Sequence, residues 1–153
     1  MVILPEVFLP QAVLRQMEAR AESAYPEECC GLLVGISEGA SIRVSRAEPS
    51  ANVAARQPGT DARRRFEVDP CLRLALMREL EESDESIVGL YHSHPDHSAR
   101  PSRHDRDSIL EPKLLWLITA VEEGKVGDTT AHLPDPEGRD FQVLSLRVTG
   151  GED

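Results

Sequence analysis

Two histidines two residues apart, His92 and His94, are the side chains in this sequence whose type and spacing first suggest chemistry. They end an apolar run, Ile87 to His94 (IVGLYHSH), that reads as a β-strand. Successive strand residues face opposite ways, so these two imidazoles share a face, with Cα atoms about 7 Å apart. That suits two ligands of one tetrahedral zinc, whose metal–nitrogen bonds are about 2.0–2.1 Å long. A pair of surface histidines is the plainer alternative. Pro95 stops the strand at once and leaves the pair at a sheet end. A third ligand must arrive from elsewhere, and Asp105 lies eleven residues beyond His94 and three beyond Ser102. Ser102-Arg103-His104-Asp105 has the form of a capping box, so Ser102 and Asp105 have a purely structural reading as a helix start. The two roles are compatible, because a helix start also holds an aspartate rigidly. Three protein ligands leave a fourth position open, which marks a catalytic zinc and not a structural one. Zinc lowers the pKa of bound water from about 15.7 toward ~7, and hydrolysis then needs a carboxylate to move the water proton.

The elements that must position these residues follow from the apolar patterning. Val2 to Leu9 reads as a short strand, and Pro10 opens a helix to about Tyr25 with Val13, Leu14, Met17 and Ala21 on one face. Cys29 to Ile36 (CCGLLVGI) is continuously apolar, as expected of a central strand buried on both faces. Ser41 to Glu48 alternates like a strand with one wet face. Ser50 to Arg65 reads as a long loop carrying three consecutive arginines, Arg63 to Arg65. Phe66 to Val68 is expected as a short strand. Asp69 and Pro70 start a helix to about Glu82, with Leu72, Leu76 and Leu80 on its buried side beside Cys71, Ala75 and Met77. After the strand that carries the histidines, Ser102 starts a helix of two or three turns. Lys113 to Val121 is a buried strand containing Trp116, Ala131 to Leu133 a short one, and Phe141 to Val148 the last. Helices separated by runs of strands predict an α/β fold: a single domain over residues 1–149, one mixed β-sheet flanked by helices, and a flexible tail at 150–153.

Composition bounds the function. The 153 residues suffice for one domain with a real core. Acids outnumber bases 27 to 17, and the net charge of −10 argues against a nucleic-acid partner. The N-terminal stretch lacks the features of a signal peptide, and no apolar run approaches the ~18 residues of a membrane span, so a cytoplasmic protein with no membrane partner is expected. Cys29, Cys30 and Cys71 form neither a disulfide framework nor a C-x-x-C pair and read as reduced, buried thiols. The remaining histidines, His97, His104 and His132, read as solvated side chains and Trp116 as core. Gly150-Gly151 is followed by two acids and reads as a terminus without a further role.

The run His92-Ser93-His94-Pro95, followed by Pro101-Ser102, two residues and Asp105, resembles the signature of the JAMM/MPN metalloprotease domain. Upstream, Pro26-Glu27-Glu28-Cys29-Cys30-Gly31-Leu32-Leu33-Val34-Gly35 is similar to a second motif of that family. Its catalytic glutamate stands three residues before the first glycine, which is Glu28 here. Glu27 is one residue away, and the residues themselves do not choose between the two. Asn52-Val53-Ala54 and Phe66-Glu67-Val68-Asp69-Pro70 also look like small bacterial members, so the resemblance spans nearly the whole chain. It implies a cytidine-deaminase-like architecture and a Zn2+ held by His92, His94 and Asp105. Glu28 would be the base and Ser102 a hydrogen-bond donor to the developing oxyanion. It further implies cleavage of a peptide or isopeptide bond, with a ubiquitin-like sulfur-carrier protein ending in Gly-Gly as partner.

Three other readings compete. A non-catalytic MPN scaffold typically lacks the metal set, which this chain keeps. A zinc deaminase would need H-x-E and P-C-x-x-C, and neither is present. Hydrolysis of small or cell-wall peptides would keep the same chemistry on another substrate. For the Gly-Gly tail, the expected docking mode is addition to an exposed sheet edge beside the site, flanked by the Ser50 to Arg65 loop.

Overall fold

A computed structural model describes residues 3–150. Alternating or continuous apolar residues build eight strands: β1 (Glu6–Pro10), β2 (Cys30–Glu38), β3 (Ser41–Ser50), β4 (Ser86–Pro95), β5 (Leu115–Glu122), β6 (Lys125–Pro134), β7 (Phe141–Leu144) and β8 (Leu146–Thr149). The helices are α1 (Gln11–Ala24), α2 (Pro70–Glu79) and α3 (Arg103–Asp107). All strands join one mixed sheet in the order β7-β6-β5-β4-β2-β3-β1-β8, flanked by helices as the α/β patterning predicts. Only Ser145 separates β7 from β8, yet these strands hold opposite edges of the sheet. The sheet therefore curls until its two edges are consecutive in the chain, and the Ser145 carbonyl accepts from Val7 N at 2.9 Å across the join.

Helix α1 fills the inside of this curl. Val13, Met17 and Ala21 recur at helical spacing, are buried, and pack with Leu9, Leu33, Ile42, Leu117, Val121 and Leu144 from five strands. Helix α2 lies on the other face, where Leu76 and Leu80 meet Leu32 and Val34. Leu32 and Leu33 thus serve opposite faces, as the period of a strand requires. Asp69 caps α2 by accepting from Cys71 N, and Pro70 takes the first helical position.

Strand β4, which carries the histidines, is central. It runs antiparallel to β2 with Cys30 opposite His92, and parallel to β5 with Gly89 opposite Leu115. A Cβ on Gly89 would lie 2.2 Å from the Leu115 carbonyl oxygen, so the two strands approach as only glycine permits. A Cβ on Gly31 would lie 2.3 Å from the Glu48 carbonyl oxygen, which fixes β3 against β2 in the same way.

Several expectations are corrected. Phe66 to Val68 forms only an isolated bridge, Asn52 to Val68, because Asn52 draws this stretch into the loop and away from the sheet. The short strand at Ala131 is the end of the ten-residue β6, whose first half is too polar to read as a strand. The final run, Phe141 to Val148, splits between opposite edges of the curl. Helix α3 has five residues instead of two or three turns, and α2 stops at Glu79. Cys29 and Cys30 are buried but Cys71, on the first turn of α2, is exposed; all three are free thiols. The expected tail beyond Gly150 lies outside the described residues. Among those described, no helix is long and apolar enough to cross a membrane.

Candidate metal centre

His92 and His94 project from β4 on the α2 face, with ring centroids 4.8 Å apart. Asp105 reaches them from the first turn of α3. Ser102 Oγ accepts from Asp105 N at 3.0 Å, and Asp105 Oδ2 accepts from Ser102 N at 2.8 Å, which completes a capping box. The box aims the carboxylate inward, where Oδ2 lies 3.0 Å from His94 Nε2 and Oδ1 lies 3.2 Å from His92 Nε2. One ligand atom from each of His92, His94 and Asp105 falls within 4.8 Å of the others, and all three side chains are buried.

These donors fit a metal. His94 Nδ1 sits 2.7 Å from the Ser98 carbonyl, which fixes the proton there and leaves the Nε2 lone pair free. His92 Nδ1 likewise faces a carbonyl, that of Ser93, at 3.3 Å. His92 Nε2 is buried and, although close to Asp105, is not aligned for any hydrogen bond. A buried nitrogen without a partner is costly, and a cation between the two imidazoles and the carboxylate satisfies it. Without a metal the group holds a proton instead. Burial would push the His92 pKa down, but Asp105 and Glu28 outweigh it and raise it to about 10. Burial would raise the Asp105 pKa, but His92, His94 and the Ser102 amide hold it well below the usual carboxylate range.

Glu28 stands over this cluster, 6% exposed, with Oε1 3.3 Å from His92 Nδ1. Strand parity explains why it faces inward and Glu27 does not. Cys30 opposes His92, and Cys29 pairs with Ser93 through Ser93 N to the Cys29 carbonyl at 3.1 Å and Cys29 N to Ser93 Oγ at 2.8 Å. Continuing the register puts Glu28 opposite His94 on the histidine face, while Glu27 falls on the other parity and is exposed.

The stretch expected as an unstructured loop is instead tied to Glu28. Ala62, buried, accepts from Glu28 N at 2.8 Å. Asn52 uses its whole amide: Nδ2 donates to the carbonyls of Glu28 (3.1 Å) and Arg65 (2.9 Å), and Oδ1 accepts from Ala54 N (3.1 Å) and Glu67 N (3.0 Å). In the sequence Asn52 stands out only as part of the family resemblance; an asparagine within the expected Ser50 to Arg65 loop was the available signal. Asn52→Ala is expected to cost about 1–2 kcal/mol in urea unfolding, because partly exposed carbonyls and amides regain some water. Asn52→Asp keeps both acceptor bonds but sets a carboxylate against two carbonyls, so it should be no better than Ala; a fully stable Asp variant would contradict this assignment.

Other side chains complete the surroundings. Phe66 stacks on His92 with centroids 4.2 Å apart, and Trp116, core as expected, packs edge-on at 5.6 Å. His132 corrects its expected solvation. It is 3% exposed on β6, with Nε2 2.7 Å from Thr130 Oγ1 and 3.3 Å from the Ala99 carbonyl. Burial lowers its pKa, so it acts as a neutral partner to the loop after β4 and not as a ligand. A cleft of about 450 Å³ opens above the cluster, lined by Glu28, His94, His97, Ser102 and His104 together with Arg64 and Arg100. Among the described residues, neither edge strand of the sheet lines it. Strand β4 has β2 and β5 on its two sides, and the free edges are β7 and β8, so the expected strand addition beside the site is corrected.

Known proteins resemble this chain in sequence and in fold. The family profile described as prokaryotic homologs of the JAB domain matches residues 10–132. A desampylase of Haloferax volcanii is 32% identical over 137 residues, covering 90% of this chain and 89% of the relative. A CysO-cysteine peptidase of Mycobacterium tuberculosis is 33% identical over 111 residues, covering 72% of this chain and 70% of the relative. The solution structure of a Desulfitobacterium hafniense protein superposes with a TM-score of 0.74 at 29% identity, covering 93% of each chain.

Proposed function

This chain belongs to the family of prokaryotic homologs of the JAB domain, and from that premise we propose that it is a zinc-dependent peptidase or isopeptidase that cleaves after the Gly-Gly end of a ubiquitin-like protein. The observation that carries the reading is the convergence of His92, His94 and Asp105 with Glu28 beside them at the floor of one cleft. Bound zinc would supply Lewis acidity and a water of lowered pKa. Glu28 would take a proton from the attacking water as the water oxygen forms the new C–O bond, and would pass it to the leaving nitrogen as the C–N bond breaks. Ser102 accepts a hydrogen bond from Asp105 N, which leaves its own O–H free to donate to the carbonyl oxygen as that gains charge. The substrate class rests on the family resemblance and on the relative named for CysO-cysteine.

The substrate test is a panel of fusions of one sulfur-carrier-like protein ending in Gly-Gly, Gly-Ala or Ala-Ala before a short peptide. Gly-Gly should be cut fastest, because a Cβ near the metal would crowd the backbone's approach. Equal rates on all three defeat the Gly-Gly preference, and no cleavage by zinc-loaded protein points to small peptides instead.

Metal loading should also release protons. His92 carries its proton well above neutrality in the metal-free protein, and zinc takes only the neutral imidazole. Titration calorimetry at pH 7.5 in buffers of different ionisation enthalpy should report about one proton per zinc from His92, in addition to any given up by the bound water. Above about pH 10, where His92 is already neutral, the release should fall by about one proton. A release that stays the same from pH 7.5 to above 10 would show that His92 is not the group that gives up this proton.

A further inference from the structure

The cleft over the metal cluster is cationic in an acidic chain. Its lining includes two arginines, and its single carboxylate is Glu28. Acids outnumber bases 27 to 17 over the whole sequence, so solvent-facing charge elsewhere is mostly negative. Among the described residues, Arg64 and Arg100 take part in no ion pair, whereas the neighbouring Arg63 is paired with Asp61 and Arg106 with Asp140. Both free guanidiniums extend from fixed backbone. Arg64 follows buried Ala62 by two residues, and Ala62 is held by Glu28 N; Arg64 N itself donates to the Asp61 carbonyl at 3.0 Å. Arg100 follows buried Ala99, whose carbonyl is held by Thr130 Oγ1 at 2.5 Å. Arg64 and His97 also line an adjoining hollow of about 270 Å³, together with Pro26, Arg63, Pro95 and the carboxylate Asp96.

We propose that Arg64 and Arg100 form a receptor for a carboxylate carried by the substrate within about one residue of the scissile bond. The proposal rests on the peptidase reading above. Arginine presents a planar fork that matches a carboxylate bidentately, and two forks held in no direct ion pair are free to take one from a ligand. A Gly-Gly tail has no ionisable side chain, and its terminal carboxyl is consumed in the bond to be cut. The carboxylate must therefore belong to the leaving amine. Two sources share this chemistry: the free α-carboxylate of a single C-terminal amino acid, or an acidic side chain next to the bond. An internal lysine linked through Nζ supplies neither within that distance.

The test uses zinc-loaded protein and three fusions of one ubiquitin-like carrier. After Gly-Gly these carry a single alanine as the free acid, alanine amide, or aspartate amide. Wild type should favour the alanine acid over its amide by roughly 10- to 100-fold in kcat/KM, chiefly through KM. Fast cleavage of aspartate amide as well extends the receptor to side chains; slow cleavage confines it to the chain terminus, and both support it. Arg64→Gln with Arg100→Gln should erase the acid preference, and lysine at both positions should restore part of it. An equal rate on acid and amide in wild type overturns the receptor. So does a preference that survives the double variant, since the metal would then be holding the carboxylate. Binding of acetyl-Gly-Gly-Ala, as acid and as amide, to zinc-loaded Glu28→Gln separates this proposal from the peptidase reading. Acid-selective binding lost in the double arginine variant supports the receptor even where no fusion is cleaved. Indifferent binding in a protein that cleaves the fusions removes the receptor alone.

Discussion

Glu28→Gln is expected to bind zinc stoichiometrically and to lose about 10³–10⁴-fold in turnover. The amide keeps the shape and hydrogen-bonding reach of the carboxylate but cannot take a proton from water and return it to a leaving nitrogen. Metal retention follows from the geometry. Glu28 Oε1 faces His92 Nδ1, the nitrogen turned away from Asp105, so the converging Nε2 atoms are untouched. Glu27→Gln should stay within about twofold of wild type, because its side chain is exposed on the opposite strand parity. The pair of variants, with zinc measured by elemental analysis and turnover on a Gly-Gly fusion, separates base from bystander. An active Glu28→Gln beside a dead Glu27→Gln would mean that the register of β2 on β4 is misread. Zinc lost from Glu28→Gln would make Glu28 a ligand instead of a proton carrier.

The choice between these two glutamates shows where sequence stops informing. Runs such as IVGLYHSH and CCGLLVGI declare central strands because burial on both faces demands continuous apolar residues. Ser102 and Asp105 declare a helix start because capping needs those types at that spacing. Glu28 over Glu27 depends on which residue of β2 meets His92, and register is a tertiary fact that neither strand encodes alone. The same limit hid His132. The first half of β6 is polar, and only its place between β5 and β7 buries the far end. The Asn52 hub was illegible for a related reason: its partners Glu28 and Glu67 come from separate segments, one of them twenty-four residues upstream. The split of Phe141 to Val148 follows from the curl of the sheet, which no local pattern announces.

Asp105→Ala should abolish both metal binding and turnover, and should also weaken the metal-free fold in a pH-dependent way. The carboxylate has three duties: it faces both imidazoles, it accepts from Ser102 N, and it is the countercharge that keeps His92 protonated. Losing the cap alone costs about 1 kcal/mol. Losing the buried countercharge adds to this, although His92 limits the cost by going neutral, so a total of about 3 kcal/mol near pH 5.5 is expected. In the metal-free wild type the folded His92 pKa of about 10 lies above its ordinary 6.5. Its contribution is therefore complete below about pH 6.5 and is lost as pH rises through about 10. The Asp105 pKa is shifted the opposite way, from 3.8 downward, so its contribution is present above about pH 4 and is lost only in stronger acid. Both are complete between roughly pH 4 and 6.5, and there the gap between wild type and Asp105→Ala should be widest. Thermal melts of the two proteins in chelator should converge as pH approaches 10, leaving the cap as the residual difference. Zinc retained by Asp105→Ala, or a gap that stays constant from pH 5.5 to 10, would show that Asp105 is not the acid that pairs with His92.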